Sequence, residues 1–449
     1  MIEITKGLDL PIDGEPLQEL GEDPHITQVA VVTAELHGLK PTMLVKEGSV
    51  VKRGQTLFSD KQTPGVLYTS PRAGKVVAVN RGYRRLLESV VIEVSGDEAE
   101  SFDKYAKSEL PTLDSDKVRR NLIASGLWTT LRTRPFSRVP AIDSVPEALF
   151  VTATDTSPLS VYPNFIMAAE QEAFECGLTV LAKLGQAKNY LCVDSKFSSA
   201  TPVPEAYQIK RFAGVHPAGL AGTHIHMLDP VSEHKTVWTI GYQDVIAVGK
   251  LFLTGELDGS RIVALAGPMV KAPQLYRVPR GAKISELCAG KLVAGEELRC
   301  ISGTVYSGFQ AADAYDFLGH YHQQVAVLKE GRSRDFLSFF MPGFNKFSVK
   351  KPFFSKLLPG GSKFAFTTSR EGSYRAMVPI ECYESVMPWD VEPTFLLRSL
   401  LSQDTEQAAL LGALEMDEED LGLCTFVCPG KSSYGPLLRS VLTTIEKDG

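Results

Sequence analysis

The sequence predicts a multidomain α+β protein, and three observations predict it. Short strand patterns separated by turns fill residues 26–95, strands alternate with helices across 101–258, and the C-terminal end turns helical. At 449 residues the chain exceeds the roughly 100–200 residues of one domain, so several cores are expected.

The first unit is assigned to residues 1–100. ITQVAVVT, PTMLV, QTLFS, GVLYTS, GKVVAV and SVVIEV are strand-like and are separated by Gly, Pro and charged turns. Val45 to Lys61 and Ser70 to Val79 resemble the barrel-sandwich hybrid of biotinyl and lipoyl carrier domains. Gly48, Gly54 and Gly74 are placed at tight turns that need positive φ. Lys61 follows Asp60, as the modified lysine does in lipoyl domains. The expected reading is an ordinary turn lysine, because the next loop, Gln62 to Gly65, departs from the lipoyl pattern. A lipoylated arm is the competing reading, and a mass increment on the Lys61 peptide would establish it.

Residues 101–258 read as a Rossmann-like α/β domain. Ser115 is the expected cap of a helix that stops at Gly126. Glu147 to Thr154 and Asn189 to Asp194 are strand-like, with Phe165 to Lys183 helix-like between them. That succession implies a parallel sheet with right-handed crossovers. TIGYQDVIAVGKLFLTG adds a further helix. Residues 259–330 resemble the soluble-ligand-binding β-grasp (ubiquitin-like) fold. Residues 331–449 form a mostly helical domain with PTFLLRSLLSQ, DTEQAALLGA and PLLRSVLTTIEK, and Asp404 to Gln407 as a capping box.

Composition excludes several classes. A net charge of −6 argues against nucleic acid as a partner. The N-terminus MIEITKGLDL has no apolar core of a secretory leader, and no window approaches the roughly 18 consecutive apolar residues of a membrane span. Seven scattered cysteines in apolar runs suit buried thiols in a reducing compartment. There is no G-x-G-x-x-G after a strand, no Walker A motif and no G-x-S-x-G elbow. His224 and His226, and likewise His320 and His322, are two apart, which on a strand puts both rings on one face; structural or interfacial roles are expected. His216 sits in the Gly-rich stretch GVHPAGLAGTHIH. The acidic run Glu418-Glu419-Asp420 reads as solvated surface. Cys424-x-x-x-Cys428-Pro429 is the tail of a ferredoxin pattern, but Glu418 and Leu421 stand where two earlier ligands would be, and Cys382 is alone upstream. A helical domain resembling a degenerate ferredoxin domain, without an iron–sulfur cluster, is therefore expected.

MIEITKGLDLPIDG, GVHPAGLAGTHIHMLDPV, KTVWTIGYQDVIAVGKLFLTG, RIVALAGPMVKAPQL and LCTFVCPGK together resemble the NqrA family of Na+-translocating NADH:quinone oxidoreductases. That family is similar to RnfC proteins and to the flavin-bearing subunit of respiratory complex I. Those relatives carry a Gly-rich loop for FMN and NADH phosphates. The corresponding stretch here, Ser125 to Pro140, has Trp128, Arg132 and Arg134 where small glycines would let phosphate approach. The resemblance implies a peripheral scaffold subunit on the cytoplasmic face of the bacterial inner membrane, not catalytic alone. Its complex oxidises NADH, reduces ubiquinone and pumps Na+. The integral subunit NqrB is the chief partner, with FAD, FMN, riboflavin and iron–sulfur centres in partner subunits and ubiquinone a candidate ligand here. A lipoyl or small-ligand carrier without a redox role is the second reading.

Between Asp335 and Glu371 there is no acidic residue, while nine phenylalanines and several lysines fall there. Pro342, Gly343, Pro352 and Pro359 break any long helix, so an extended segment is expected. Lys350, Lys351, Phe353 and Phe354 are assigned to docking on the membrane partner, with packing on the core as the alternative for part of the aromatic set. Replacing all four with Ser or Glu is expected to release the chain into the soluble fraction with its circular dichroism unchanged. Full assembly and normal quinone reduction by that variant would remove the docking role.

Overall fold

The computed structural model describes residues 1–198, 203–332, 342–344, 346–350, 353–357, 362–378 and 380–448. Its centre is a six-stranded sheet. In spatial order the strands are Ile2–Ile4, Gln208–Gly214, Lys188–Asp194, Ala148–Ala153, Val237–Gly241 and Arg132–Arg134. All neighbours are parallel except the last pair. Chain direction across the sheet reverses at Ala148–Ala153. One crossover leads through helices Pro163–Ala169 and Gln171–Leu181 to Lys188–Asp194, and helix Ala221–Leu228 later leads to Val237–Gly241 on the opposite side. In such sheets a crevice opens outside the carboxyl ends of the two strands that flank the reversal. The central strands carry unbroken apolar runs because helices cover both faces.

One helix pair sets the thickness of this domain. Helices Gln171–Leu181 and Tyr242–Thr254 touch backbone to backbone. A Cβ on Gly249 would lie 1.8 Å from the Ala173 carbonyl oxygen, and one on Gly177 would lie 2.0 Å from that of Val245. Glycine is required at both positions by the space between the helices.

Residues 28–94 form the barrel-sandwich hybrid. Gln28–Val32, Leu87–Val94, Gly74–Arg81 and Val50–Val51 make one sheet, and Pro41–Met43, Thr56–Asp60 and Leu67–Thr69 the other. Gly48 and Gly54 have positive φ as expected, but Gly74 does not. It opens a strand, and a side chain there would meet the Glu93 carbonyl oxygen at 2.1 Å. Asp60 is buried, and its carboxylate accepts from the Lys40 and Gln62 amides, which leaves Lys61 exposed on a bend.

The β-grasp unit has the strand order Phe309–Gln310, Leu298–Ser302, Gln324–Lys329, Ser260–Ala266, Gln274–Pro279, with helix Ile284–Cys288. Its sixth strand, Leu17–Leu20, comes from the N-terminal segment. The first two strands thus lie outside the sandwich to which residues 1–100 were assigned. Ile2–Ile4 extends the parallel sheet and Leu17–Leu20 the β-grasp sheet, because each supplies an unpaired edge with a partner.

Two local expectations also change. Asp114, not Ser115, caps helix Ser115–Ser125, with its carboxylate accepting from the Asp116 and Lys117 amides. The stretch 165–183 is two helices that meet at Glu170. The C-terminal domain is a separate apolar core built from helices Pro393–Ser402, Thr405–Leu410, Gly422–Val427 and Tyr434–Asp448. Asp404 caps the second of them through the Gln407 amide.

Ala favours an exposed helix interior over Gly by about 1 kcal/mol, but overpacking costs about 1–3 kcal/mol. Gly249→Ala should therefore destabilise the chain, read as a lower urea midpoint, despite its better helix propensity. An unchanged or raised midpoint would contradict the backbone contact.

Candidate functional site

A cleft of about 750 Å³ lies where the parallel sheet reverses. Thr152, Thr154 and Asp155 reach it from the end of Ala148–Ala153, and Gly241 and Tyr242 from the end of Val237–Gly241. The β-grasp domain closes one side with Tyr306, Phe309 and His322, and the C-terminal domain closes another with Asp417, Glu418 and Arg439. Parts of the chain that are distant in sequence thus meet around one opening.

The junction is ionic. Arg132 and Arg134 are two apart on the edge strand Arg132–Arg134. Alternation puts both side chains on one face, toward the C-terminal domain. Arg134 is fully buried and lies 3.2 Å from Asp417, 3.4 Å from Glu419 and 3.6 Å from Asp420. Ser137 Oγ donates to Asp417 Oδ2 at 2.7 Å. From helix Tyr434–Asp448, Arg439 grips Asp417 at 2.8 Å and Glu418 at 2.5 Å. Arg132 also lies over the Tyr321 ring, 4.5 Å from its centre.

The acids respond in opposite directions. Burial opposes charge on Asp417, yet Arg134, Arg439 and Arg132 hold its carboxyl well below the usual range. Burial and the neighbouring Asp417 charge push Glu418 up to about 7. Burial, with the Glu419 charge, pushes Asp420 up to about 8 although Arg134 opposes it. Burial and the Arg439 charge hold His37 down to about 3. His37, Asp417 and Glu418 converge closely enough to suggest a metal site. Arg439 already spans both carboxylates, so the donor set does not fit a cation.

The acidic run expected as solvated surface is therefore part of a buried charge cluster at the site. Asp417 and Asp420 form a capping box on Glu418–Leu421, Asp420 Oδ2 accepting from the Asp417 amide at 2.8 Å. An Asp three residues before a second Asp, ahead of an apolar turn, was the signal in the sequence.

The paired histidines make separate contacts. His224 and His226 lie on helix Ala221–Leu228, not on a strand, so their rings diverge. His224 is buried on Phe212, and His226 stacks on Trp389 and bonds Glu415, which ties that helix to the C-terminal domain. His320 bonds Thr129, and His322 bonds Ser302 and Glu35. His216 stacks on Tyr306 at 5.2 Å.

In the stretch Ser125 to Pro140, Trp128 is buried edge-on against Trp238 and donates to the Pro140 carbonyl at 2.9 Å. The buried side chains of Trp128 and Arg134 stand where a flavin phosphate cradle would need glycines that leave the backbone open, so these residues do not fit one. Cys382, Cys424 and Cys428 share the C-terminal core. Cys428 Sγ accepts from the Tyr383 hydroxyl at 3.2 Å, and Tyr383 and Tyr434 bond each other at 2.9 Å. Tyrosine hydroxyls stand around this sulfur, and three thiols are fewer than a four-thiolate cluster requires.

Of the docking set, Phe354 is exposed and faces the exposed Phe344 at 5.7 Å. Phe353 is half-buried against Gly343, and the Lys350 ammonium donates to the Ile380 carbonyl at 2.9 Å. Lys351 lies outside the described residues. Phe347, Phe364, Phe366 and Phe426 pack into a separate ring cluster.

Among the described residues no helix is long and apolar enough to cross a membrane. Fold and site together define a multidomain α+β protein built around a Rossmann-type crevice. The family model for the NqrA N-terminal barrel-sandwich hybrid domain matches residues 2–95, that for the NqrA second alpha/beta domain 113–257, and that for the NQRA C-terminal domain 262–313. The chain is 55% identical to the A subunit of the Na(+)-translocating NADH-quinone reductase of Saccharophagus degradans, 54% to that of Pasteurella multocida and 53% to that of Cellvibrio japonicus, each match covering 100% of both chains. It belongs to this family, the NqrA proteins of Na+-translocating NADH-quinone reductase. Among solved structures, an NAD+-reducing [NiFe]-hydrogenase chain is similar over 52% of each chain at 14% identity and a TM-score of 0.35, too slight a likeness to show a shared fold.

Removing one partner of a buried ion pair costs about 3–5 kcal/mol. Asp417→Asn should destabilise by that order in urea titration at neutral pH, because Arg134 and Arg439 both lose the carboxylate they share and Glu419 alone is left to face the fully buried guanidinium of Arg134. Asp420→Asn should cost under about 1 kcal/mol, because the native carboxyl is already protonated there. The raised folded-state value gives stability that is present below the ordinary Asp value of 3.8 and lost as pH rises through about 8. The Asn variant should lose that pH slope, and equal costs for the two substitutions would refute the assignment.

Proposed function

We propose that this chain is a peripheral subunit of an Na+-translocating NADH:quinone oxidoreductase, a complex that oxidises NADH, reduces ubiquinone to ubiquinol and expels Na+ from the cytoplasm. It is not catalytic by itself. End-to-end similarity to NqrA relatives carries this reading. The chain sits on the cytoplasmic face, held chiefly by the integral NqrB subunit through the segment of Lys350, Lys351, Phe353 and Phe354. Exposed rings at Phe344 and Phe354 support that contact. Flavins and iron–sulfur centres belong to partner subunits, a reading supported by the filled Ser125 to Pro140 stretch and the three-thiol core.

Within the chain, the cleft is the candidate site for the ubiquinone headgroup. A quinone needs an apolar wall and donors for its carbonyl oxygens. Tyr306, Phe309 and Tyr321 supply rings. Thr152 Oγ1 and the Tyr306 hydroxyl are buried, belong to residues that line the cleft and have no hydrogen-bond partner among the described residues. Leaving such groups unpaired is costly, and a carbonyl acceptor would relieve both.

Short-chain ubiquinone should quench the tryptophan fluorescence of the purified chain. Thr152→Val with Tyr306→Phe should weaken that binding about tenfold or more, at about 1 kcal/mol per lost bond. Absence of quinone binding, with an unchanged quinone KM in complexes carrying the double variant, would reject the quinone site and leave membership of the complex untouched.

A further inference from the structure

The hairpin between strands Gly74–Arg81 and Leu87–Val94 breaks a local rule. Its turn runs Tyr83-Arg84-Arg85-Leu86, closed by the Leu86 amide on the Tyr83 carbonyl at 3.2 Å. Arg84 has φ 54° and ψ 29°, and Arg85 has φ 61°. Both central residues are left-handed, as in a type I′ turn, where Asn-Gly is the favoured pair and a side chain beyond Cβ is unfavourable. The flanking strands pair up to the turn, Arg81 opposite Leu87 with a bulge between Asn80 and Arg81, so the fold demands the turn but not the arginines. Residues that defy local preference with no packing gain mark sites kept for another purpose.

What the tip displays gives that purpose. Tyr83 is 82% exposed and Leu86 60% exposed, both large for side chains with no fold to support. Arg81, Arg84 and Arg85 are exposed too. Arg84 lies over the Tyr83 ring at 5.2 Å, and Arg81 reaches back to the Arg85 carbonyl at 3.0 Å. None of the three forms an ion pair among the described residues. Three such cations on a chain of net charge −6 are a local reversal of sign. An aromatic ring, an aliphatic side chain and arginines on one narrow tip fit the boundary of a lipid layer. There the ring and leucine enter the interface while guanidinium groups meet phosphate.

We propose that the Tyr83–Leu86 hairpin tip is a second, lipid-directed contact that seats this chain on an anionic membrane surface. It is separate in sequence from the Lys350–Phe354 segment and does not depend on it. Charge complementarity to acidic headgroups selects the occupant. The two hydrophobic side chains add too little area to hold a bilayer alone, so binding should be weak, salt-sensitive and dependent on acidic lipid.

The test uses the full-length purified chain and sedimentation with phosphatidylglycerol/phosphatidylethanolamine vesicles, against vesicles of phosphatidylcholine alone. Binding is expected to the acidic vesicles and to be released by salt. Arg84→Asn with Arg85→Gly gives the turn its preferred residues, so the unfolding midpoint should hold or rise while vesicle binding drops about tenfold or more. Tyr83→Ser with Leu86→Ser should weaken binding but keep its salt dependence. The proposal is overturned if the wild-type chain ignores acidic vesicles or if the Asn-Gly variant binds them equally well. It is also overturned if that variant detaches from the integral subunits in detergent, where no bilayer exists, since the tip would then be meeting protein.

Discussion

A guanidinium with no access to water constrains this molecule. Arg134 cannot be buried without carboxylates, and its own domain supplies none within reach among the described residues. The C-terminal domain must therefore bring Asp417, Glu419 and Asp420 to the edge of the parallel sheet. Once there, the cluster balances itself partly by proton uptake. Asp417 stays charged among three arginines, while burial raises Asp420 to about 8 and Glu418, still held by Arg439, to about 7. A fixed number of arginines can then be matched without a surplus of negative charge in a dry space.

That anchorage also shapes the cleft. With the helical domain fixed, Asp417, Glu418 and Arg439 become one wall, and the β-grasp side chains become another. The crevice follows from the sheet topology, and its walls come from other domains. Rings and hydroxyls of the β-grasp unit and the charged groups Asp417, Glu418 and Arg439 line it together with the ends of the sheet strands. Topology and chemistry are separate here: the sheet dictates where a ligand can sit, and the side chains dictate which ligand.

Much of this was legible in the sequence. The sandwich, the β-helix-β alternation and the C-terminal helices follow from period and turn chemistry, which act over a few residues. What escaped is long-range. Glu418-Glu419-Asp420 looks solvated until Arg134 and Arg439, distant in the chain, are seen against it. His224 and His226 do not share a face because a spacing of two aligns side chains only on a strand, and they lie on a helix. Gly74 misleads because a glycine required by a neighbouring strand cannot be told in sequence from one required by a turn. Pairings such as Leu17–Leu20 with Gln274–Pro279 leave no local trace.

The N-terminal segment carries a consequence for synthesis. Ile2–Ile4 pairs with Phe212–Gly214, Leu17 and Leu20 with Gln274 and Leu275, and the Gly7 amide bonds the Ser385 carbonyl. A ribosome exposes the first member of each pair long before the second exists. The sandwich that follows can close at once, since its pairings are local, but these two strands must wait unpaired until about half of the chain or more has been made. Contacts so distant in the chain are slow to form and leave strand edges open meanwhile. Nascent chains would then be at their most chaperone-dependent in this segment, and premature termination before residue 212 would leave both strands with no place to dock.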